Sequence, residues 1–279
     1  MHHLGAAIVA GIIEGVVEWL PVSSKTMITL YFALIGINVQ SAYNLGLIAN
    51  LGSFFAAIYY FRREAWEVLK SLPHPFAKDR YSTLLRFLFV GTLATGVTGI
   101  PIYLAVQKTF SIVSGSVAML LIGVLLLITS FIARNKTRLE AAAAPAAGDR
   151  SPTLAAALVT GGMQGLAALP GISRSAMTMT PLLLMGFSAE ESLRLSFMLD
   201  VIALVGAGVV PLVIGHGGLT AIHTLGTGTT IVMLVAAAIV SFLAINAVLG
   251  VARRLKTWIA TLIIGIIALI FPLIALLVH

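Results

Sequence analysis

The chain has 279 residues, of which 59% are hydrophobic and only 10% are charged, and its mean hydropathy is +1.05. Soluble domains average about 45 to 50% apolar and about 25% charged residues, so this composition excludes an ordinary soluble protein and predicts one that crosses a membrane several times. Cysteine is absent, which excludes disulfide and thiol chemistry. The net charge of +7 comes with no motif for nucleic-acid binding, and the membrane topology accounts for most of it.

Apolar stretches of two lengths follow one another along the chain. A bilayer span needs about 20 apolar residues, whereas runs of about 10 to 14 are more typical of re-entrant or interfacial segments. The sequence predicts six full spans, near residues 42–61, 83–105, 111–133, 193–215, 224–250 and 257–278. Four stretches are shorter or interrupted by charge, at 4–20, 26–36, 153–169 and 176–187. The predicted fold class is therefore an all-α polytopic membrane protein.

The four short stretches pair as two re-entrant helix hairpins, 4–36 and 153–187. Each hairpin is predicted to break at a proline, Pro21 or Pro170, because proline ends a helix and leaves backbone groups without partners. Irregular backbone at membrane depth is tolerated only where it is buried in protein or lines a wet cavity. Both turns are therefore predicted to face the interior.

Three spans separate the two hairpins, and this odd number places them on opposite faces of the membrane. The arrangement predicts an inverted-topology repeat, with residues 1–139 as the first repeat and 153–279 as the second. The Ala-rich segment 140–152 between them is predicted to be a flexible cytoplasmic linker. Basic residues concentrate in the connections near 62–80, 134–150 and 253–256. By the positive-inside rule that face is cytoplasmic, so both termini of this plasma-membrane protein are predicted to be extracytoplasmic.

Two polar segments at the hairpin turns, residues 14–26 and 164–178, resemble one another. Each starts with Glu or Gln followed by Gly, continues through a short apolar run to Pro, and ends in hydroxyl residues with one cation. The repetition predicts a duplicated protein whose two turns form one composite polar site.

The charges in these segments are expensive at membrane depth. They belong to Glu14, Glu18, Lys25 and Arg174. An ionised residue in mid-span costs about 2.5 to 3.5 kcal/mol, so the four together would cost on the order of 10 kcal/mol unless they were paired or hydrated. Glu14 and Glu18 are four residues apart and share one helix face. We therefore predict a compensating cluster; the alternative is a helix end near the headgroups with two solvated carboxylates.

The cluster suits a phosphate ligand. Its formal charges sum to zero, so Arg174 and Lys25 can bind an anion while a divalent cation or protons occupy the glutamates. Arginine offers a bidentate fork to phosphate oxygens, and lysine offers a compact charge. The second turn is typical of a helix start, where free backbone N–H groups favour anions. The hydroxyls of Ser173, Ser175 and Thr178 are predicted either to bind the phosphate or only to cap the helix.

The two turns resemble those of the undecaprenyl-diphosphate phosphatase family, the membrane enzymes known from bacitracin resistance that recycle a polyprenyl lipid carrier. The matching signatures lie at residues 14–24, 51–53 and 170–178, and the likeness extends over nearly the whole chain. The resemblance implies six spans with two re-entrant helix pairs, a polyprenyl diphosphate substrate and removal of its terminal phosphate at the outer face. At Lys25-Thr26 the chain is more similar to archaeal than to bacterial members.

The resemblance also implies a role for each polar side chain. Glu14 and Glu18 would bind a Mg²⁺ or Ca²⁺ ion or act as a base, and Ser24 would be the hydroxyl nearest the phosphorus. Arg174 would clamp the phosphate. The other predicted phosphate-binding residues are Ser173, Thr178, Lys25, Ser23 and Asn50. Asn50 stands where the family has a glutamine.

Two further departures from the family bear on activity. Members of the bacterial type have a catalytic histidine at the position of Met27, so the general base in this chain would have to be Glu14 or Glu18. Asp200 lies in an apolar span where the family has a small apolar residue. An intramembrane acid is a candidate proton site; the alternative is a helix-end acid hydrated near the cytoplasmic surface. These departures leave a second hypothesis open, a non-hydrolytic carrier that moves a polyprenyl phosphate across the bilayer.

Overall fold

The computed structural model describes residues 2–20, 22–113, 115–142, 151–214 and 217–252, with three isolated positions beyond them. Over these ranges the secondary structure is helical and contains no β-strand, which confirms the all-α prediction. Pro21, most of the predicted linker at 140–152 and almost all of the predicted span at 257–278 lie outside the described residues.

Helices joined by short connections make up the described part of the chain. Their bounds are α1 His2–Val17, α2 Ser24–Leu34, α3 Val39–Tyr60, α4 Arg62–Lys70, α5 Arg80–Ile112, α6 Gly115–Ala142, α7 Leu154–Gly165, α8 Arg174–Leu184, α9 Ala189–Val213, α10 Gly217–Leu225 and α11 Thr227–Ala252. A 3₁₀ turn, Leu166–Ala168, follows α7. The first five predicted spans correspond to α3, α5, α6, α9 and α11.

Four helices in the described residues are long and apolar enough to cross a membrane. They cover Val39–Tyr60, Arg80–Ile112, Ala189–Val213 and Thr227–Ile245, and α6 adds a shorter apolar stretch, Val117–Ile132. Within the chain 78% of the apolar window of α3 is buried, against 22% for α5 and 28% for α11. Outer helices that expose so much apolar surface need lipid around them. The protein is therefore a multi-pass membrane protein.

Two predicted span boundaries are wrong. The predicted span at 111–133 starts too early, because α5 continues without a break to Ile112. The predicted span at 224–250 also starts too early, because a separate short helix, α10, precedes α11. Gly226 lies between these two helices with a φ of 95°, a left-handed conformation that favours glycine and ends helices. Neither α4 nor α10 was predicted, since helices of nine residues are too short for apolar periodicity to be informative.

Each predicted hairpin consists of two helices joined by a non-helical turn. In the first, α1 ends at Val17 and α2 begins at Ser24; in the second, the 3₁₀ turn after α7 ends at Ala168 and α8 begins at Arg174. The predicted helix breaks are confirmed. In both hairpins the second helix starts at the hydroxyl and cation cluster, where its first backbone N–H groups lack partners within the helix.

The first helix of each hairpin packs against a long helix from the other half of the chain. α1 packs on α11, and α7 packs on α5. Glycines at four-residue spacing make both contacts, Gly11 and Gly15 on α1 and Gly161 and Gly165 on α7. A methyl group at Gly11 would lie 2.6 Å from atoms of α11, and one at Gly161 only 2.1 Å from the Gly91 carbonyl oxygen. Small residues at this spacing let two helices approach closely in a membrane.

The most buried of the four long apolar helices, α3, supplies the inner wall of the site. It contacts α1, α2, α9, α10 and α11. Its buried polar side chains include Ser41, Asn44, Asn50 and Ser53. Buried polar groups require hydrogen-bond partners. Asn44 meets Gln107 and Tyr103 of α5, whereas Asn50 meets Arg174 and Ser53 meets Glu14 of the hairpins.

Candidate functional site

A cavity of about 640 Å³ lies where the two hairpin turns meet α3, α5 and α9. Its walls along α5 and α9 are largely apolar, and charged and polar residues gather at the hairpin turns. Polar residues at that end include Glu18, Ser23, Ser24, Lys25, Asn50, Ser173, Arg174, Ser175 and Asp200. The predicted residues of two distant segments are thus brought into one site.

Glu18 joins the hydroxyl of the first hairpin to the arginine of the second. It follows the last turn of α1, and its backbone N–H donates to the Glu14 carbonyl at 3.0 Å. The Oε2 atom of Glu18 accepts a hydrogen bond from the Ser24 hydroxyl, and its Oε1 atom accepts one from Arg174 Nη2. A carboxylate in contact with a hydroxyl can take its proton, which is how a weak oxygen nucleophile is activated.

Arg174 begins α8, and residues from three other elements hold its guanidinium. Besides contacting Glu18, its Nη2 donates to Asn50 Oδ1 at 2.6 Å, and its Nε lies 3.1 Å from Asp200 Oδ1. The Nη1 atom is buried, yet no described residue accepts a hydrogen bond from it. Two of the three guanidinium nitrogens are therefore engaged, and the third remains as a donor for a ligand.

Asp200 reaches the cavity from α9. Only 7% of its surface is exposed and its carboxylate faces Arg174, so the alternative of a hydrated helix-end acid is wrong. The charge count made from the two turns left this residue out. With it, three carboxylates face two cations, and the cluster carries one negative charge in excess when all five groups are ionised. Such an excess favours a bound cation or proton.

Glu14 lies behind Glu18 and is fully buried. The Ser53 hydroxyl donates to Glu14 Oε1 at 3.1 Å, and Ser53 and Ser241 share a hydrogen bond of 2.9 Å. The Oε2 atom of Glu14 is buried and has no partner among the described residues. The two glutamates therefore have different surroundings, and only Glu18 lines the cavity. Sequence reasoning missed Ser241, whose one signal is a hydroxyl inside the apolar α11.

Lys25 extends from the first hairpin to the backbone of the second. Its ammonium donates to the Ile172 carbonyl at 2.9 Å and to the Ser23 hydroxyl at 3.2 Å. Lys25 is 6% exposed and lines the cavity. Both cations that were predicted to bind phosphate therefore face the same space.

A second set of contacts fixes the two turns relative to each other. The Gly171 N–H donates to Thr26 Oγ1 at 2.6 Å, and the Gly171 carbonyl accepts from Thr129 of α6 at 2.5 Å. Gly171 has a φ of 88°, the left-handed region that glycine occupies at little cost. These neutral hydrogen bonds hold the charged groups in place independently of the ion pairs.

The hydroxyls of the second turn divide between the cavity and the helix packing. Ser173 is the N-cap residue of α8, but its side chain makes no capping hydrogen bond, so the capping alternative is wrong for it; instead it lies 3.2 Å from the Ser175 hydroxyl. Thr178 is buried against α9, with its hydroxyl 2.5 Å from that of Ser196. Thr178 is not among the residues lining the cavity, and its role in phosphate binding stays a prediction.

Met27 stands at the position of the missing histidine. It is half-buried on α2 and is not among the residues that line the cavity. The Ser24 hydroxyl in this chain is paired with Glu18 instead.

The oxygen atoms at Glu14 are suitable ligands for a hard divalent cation. Mg²⁺ and Ca²⁺ prefer oxygen ligands, and the unpartnered Glu14 Oε2 belongs to a carboxylate that already accepts from the Ser53 hydroxyl. The described residues contain no cluster of three or more histidine, cysteine or carboxylate side chains able to hold a metal. An ion held here would complete its shell with hydroxyls, water or phosphate oxygens, as Mg²⁺ commonly does.

The fold and the cavity together define a class: a multi-pass membrane protein whose interior holds acidic and basic groups at one end of an apolar cleft. Comparison with known sequences identifies the family within this class. The sequence model of the family described as bacitracin resistance protein BacA matches residues 7–270. The chain belongs to this family.

Curated relatives are similar over almost their whole length. An undecaprenyl-diphosphatase of Saccharolobus solfataricus is 35% identical over 272 residues, which cover 97% of this chain and 96% of the relative. Another, of Haloarcula marismortui, is 35% identical over 271 residues, covering 95% and 96%, and one of Methanopyrus kandleri is 31% identical over 273 residues, covering 98% and 97%. These archaeal relatives agree with the similarity predicted from Lys25-Thr26.

Proposed function

We propose that this protein is an integral membrane phosphatase that hydrolyses a polyprenyl diphosphate of the undecaprenyl type to the monophosphate. Relatives aligned over nearly the full chain are named undecaprenyl-diphosphatase. The observation that carries the proposal is the contact of the Ser24 hydroxyl with the Glu18 carboxylate beside the Arg174 guanidinium. It joins a nucleophile, a base and an anion clamp in one buried site.

In this proposal Ser24 is the nucleophile and Glu18 its general base. The Ser24 Oγ attacks the terminal phosphorus, its proton passes to the Glu18 carboxylate, and the bond from phosphorus to the bridging oxygen breaks. The polyprenyl monophosphate leaves with that oxygen, and water then releases inorganic phosphate from Ser24. A positioned base contributes about 10²- to 10⁴-fold. Glu18 thereby replaces the histidine that is absent at Met27.

Arg174 and Lys25 bind the diphosphate. The free Nη1 of Arg174 offers a donor, and the Lys25 ammonium, held only by a carbonyl and a hydroxyl, is not neutralised by a hydrogen-bonded carboxylate. Ser23, Ser173 and Asn50 stand beside them in the cavity; the two serines offer hydroxyl donors, and Asn50 orients Arg174. Preorganised donors of this kind are typically the largest single contribution to catalysis. Thr178 helps to position Arg174, because its hydrogen bond with Ser196 holds α8 against α9.

Glu14 and Glu18 would hold a divalent cation, Mg²⁺ or Ca²⁺. When bound, the ion neutralises charge on the diphosphate and polarises the phosphoryl group. The unpartnered oxygen of Glu14 supports this assignment. Glu18, whose two oxygens contact Ser24 and Arg174, keeps its role as proton acceptor.

The apolar part of the cavity accommodates the beginning of the polyprenyl chain. Gly96 on α5 and Gly206 on α9 line it, and a side chain at either position would begin in open space, with no atom within 4 Å. The Gly206→Leu variant should therefore fold and raise the KM for the lipid substrate about tenfold by filling this space. Gly162→Leu is the matched control, since it also begins in open space but lies off the cavity, and it should leave KM unchanged.

For the fold, we propose an inverted-topology repeat of residues 1–139 and 153–279, joined by the linker 140–152. The reciprocal packing of α1 on α11 and of α7 on α5, with the same glycine spacing, supports two equivalent halves. Two hairpins then enter from opposite faces beside six spans. The basic connections face the cytoplasm and both termini face outward.

The absence of native cysteine makes this topology simple to test with single cysteines. A membrane-impermeant thiol reagent applied to intact cells should label Lys108→Cys, an exposed position near the end of α5 that this topology places outside, and should leave Lys70→Cys unlabelled. The opposite labelling pattern would contradict the proposed orientation.

Phosphate release from purified protein, given undecaprenyl diphosphate and Mg²⁺ in detergent, tests the function directly. The Ser24→Ala and Glu18→Gln variants should lower the rate at least about 10³-fold. Glu190→Gln makes the same charge change at an exposed position of α9 and should keep the parent rate. No release above the Glu18→Gln background would contradict the phosphatase proposal. Movement of polyprenyl phosphate across vesicles without phosphate release would favour the carrier hypothesis.

A further inference from the structure

Arg174 is already paired before any ligand enters the cavity, and on the α9 side its partner is Asp200. The Nε and Oδ1 atoms are 3.1 Å apart, and both residues line the cavity. The Oδ1 atom takes part in no hydrogen bond of normal geometry with a described residue. The contact is therefore a pairing of charges rather than a directional hydrogen bond.

The other partners of Arg174 are anchored elsewhere. Glu18 also holds the Ser24 hydroxyl, and the Asn50 amide donates to the carbonyls of Gly46 and Leu47 at 3.0 and 2.9 Å on its own helix. Asp200 is a second carboxylate beside the guanidinium that is also the proposed phosphate ligand, and its Oδ1 atom, unlike the two oxygens of Glu18, makes no hydrogen bond with a described residue. A carboxylate and a phosphate beside one arginine repel each other, so each weakens the binding of the other.

Lys25 has the opposite effect on the same ligand. Its ammonium is close enough to Glu18 and Asp200 to interact with both charges. Lys25 donates to the Ile172 carbonyl of the second turn and lines the same cavity. A phosphate between Lys25 and Arg174 would be attracted by two cations in a buried site, where charges interact several-fold more strongly than in water. Hydrolysis leaves inorganic phosphate in that position, and slow product release can limit turnover.

We propose that Asp200 is an internal counter-ion that competes with phosphate for Arg174 and so sets the affinity of the site for its product. The inference rests on the anion site of the proposed function. Asp200 is a positioning residue that acts through Arg174: it lowers phosphate affinity, whereas Lys25 raises it. The positive charge of Lys25 and the negative charge of Asp200 thus have opposite effects on phosphate affinity and offset each other.

Binding of inorganic phosphate and of pyrophosphate to the detergent-purified protein, measured by isothermal titration without turnover, tests this balance. Asp200→Asn keeps the side-chain shape and removes the charge, and it should tighten binding about tenfold, or about 1.4 kcal/mol. Lys25→Gln should weaken binding about tenfold, and the double variant should bind within about threefold of the parent. Glu190→Gln removes a carboxylate from an exposed position of the same helix and should bind as the parent does.

Turnover should show the same competition in kcat and KM together. Asp200→Asn should lower both, and inorganic phosphate should inhibit it at about tenfold lower concentration, because the product is retained. A purely structural role for Asp200 would weaken phosphate binding or leave it unchanged. Either result would overturn the proposal.

Two outcomes separate this inference from the proposed function. If Asp200→Asn tightens phosphate binding while the parent does not hydrolyse polyprenyl diphosphate, the counter-ion role stands and the phosphatase proposal fails. If the parent binds neither phosphate nor pyrophosphate, both fail. Should Asp200→Asn not fold, Asp200→Ser removes the same charge with a smaller side chain, and weaker phosphate binding in that variant would again overturn the proposal.

Discussion

The two hairpin turns share a scaffold and differ in chemistry. Glu14 of α1 and Gln164 of α7 occupy corresponding places, each one residue before a glycine that packs on a helix from the other half. Glu14 accepts a hydrogen bond from Ser53, and Gln164 accepts one from Thr95 at 3.0 Å. One copy thus carries an acid where the other carries a neutral amide of nearly the same shape.

This difference shows how a duplicated scaffold can divide one reaction between its copies. The first turn supplies the two glutamates and the Ser24 nucleophile, and the second supplies Arg174 and the helix start. Because the acid and the arginine stand on different turns, the Glu18–Arg174 contact joins the turns to each other in the absence of ligand. Losing either partner would leave a buried charge uncompensated, which is strongly destabilising.

The largest expected effect comes from the arginine of the second turn. Arg174→Lys keeps the charge but loses the planar fork that now contacts Glu18, Asn50 and Asp200. We expect kcat/KM for polyprenyl diphosphate to fall about 10²- to 10³-fold in the phosphate-release assay. Arg194→Lys is the control. Arg194 does not line the cavity, and its Nε atom lies 2.6 Å from Glu64 Oε1. Equal losses in both variants would indicate general destabilisation rather than a lost clamp.

The second prediction concerns Glu14, which can be replaced by the glutamine that the second hairpin has at the corresponding position, Gln164. Glu14→Gln removes the carboxylate whose Oε2 is free, so the Mg²⁺ concentration for half-maximal activity should rise about 10- to 100-fold. The measurement is phosphate release over a Mg²⁺ titration. Gln164→Glu makes the reverse change and should instead lower thermal stability, because it buries an unpaired charge. An unaltered Mg²⁺ requirement in Glu14→Gln would remove Glu14 from the cation site.

Stability should reveal the glycine contacts that the two copies share. Gly161→Ala places a methyl group 2.1 Å from a backbone oxygen of Gly91, and we expect it to lower the free energy of unfolding by about 1 to 3 kcal/mol. Gly11→Ala meets α11 at 2.6 Å and should act in the same direction. Gly162→Ala, with no atom within 4 Å, should keep or raise the Tm because alanine favours helix. Thermal unfolding in detergent distinguishes these cases, and equal Tm values for the two α7 variants would contradict close packing.

The smallest effect is expected where the first turn departs from its family. Met27 does not line the cavity and Ser24 already has a proton acceptor in Glu18, so Met27→His should change kcat by less than about threefold. The same substitution should not rescue Glu18→Gln. A tenfold or larger gain in Met27→His would mean that the missing histidine, and not Glu18, limits the reaction.

The convergence of the two turns could be predicted because unpaired charges at membrane depth are destabilising and few other charged residues are available as partners. Glu18 and Arg174 are far apart in sequence, yet each needs a partner at membrane depth, and they are in contact. Asn50 could be added from the family pattern, and its side-chain oxygen accepts a hydrogen bond from Arg174. The two helix breaks could be predicted because proline ends a helix.

What could not be predicted depends on which side of a helix faces which neighbour. Asp200 sits among apolar residues on both sides along α9, so nothing local indicates that it turns toward Arg174. Thr178 lies one turn beyond Arg174 on α8, and the packing of α9 decides that it meets Ser196 instead of the cavity. Ser241 is the one hydroxyl in the apolar part of α11 after Thr230, and only the packing of α11 on α3 makes it a neighbour of Ser53.

The contact between α1 and α11 also determines the order in which the protein can mature. α1 is synthesised first, but the helix that receives Gly11 and Gly15 is the last described helix of the chain. Contacts between such distant segments form late and slowly. Until α11 is in the membrane, Glu14 lacks the Ser53–Ser241 pair that closes its surroundings. A nascent chain halted before α11 would therefore be inserted but inactive, and activity would arise only after α11 has been synthesised.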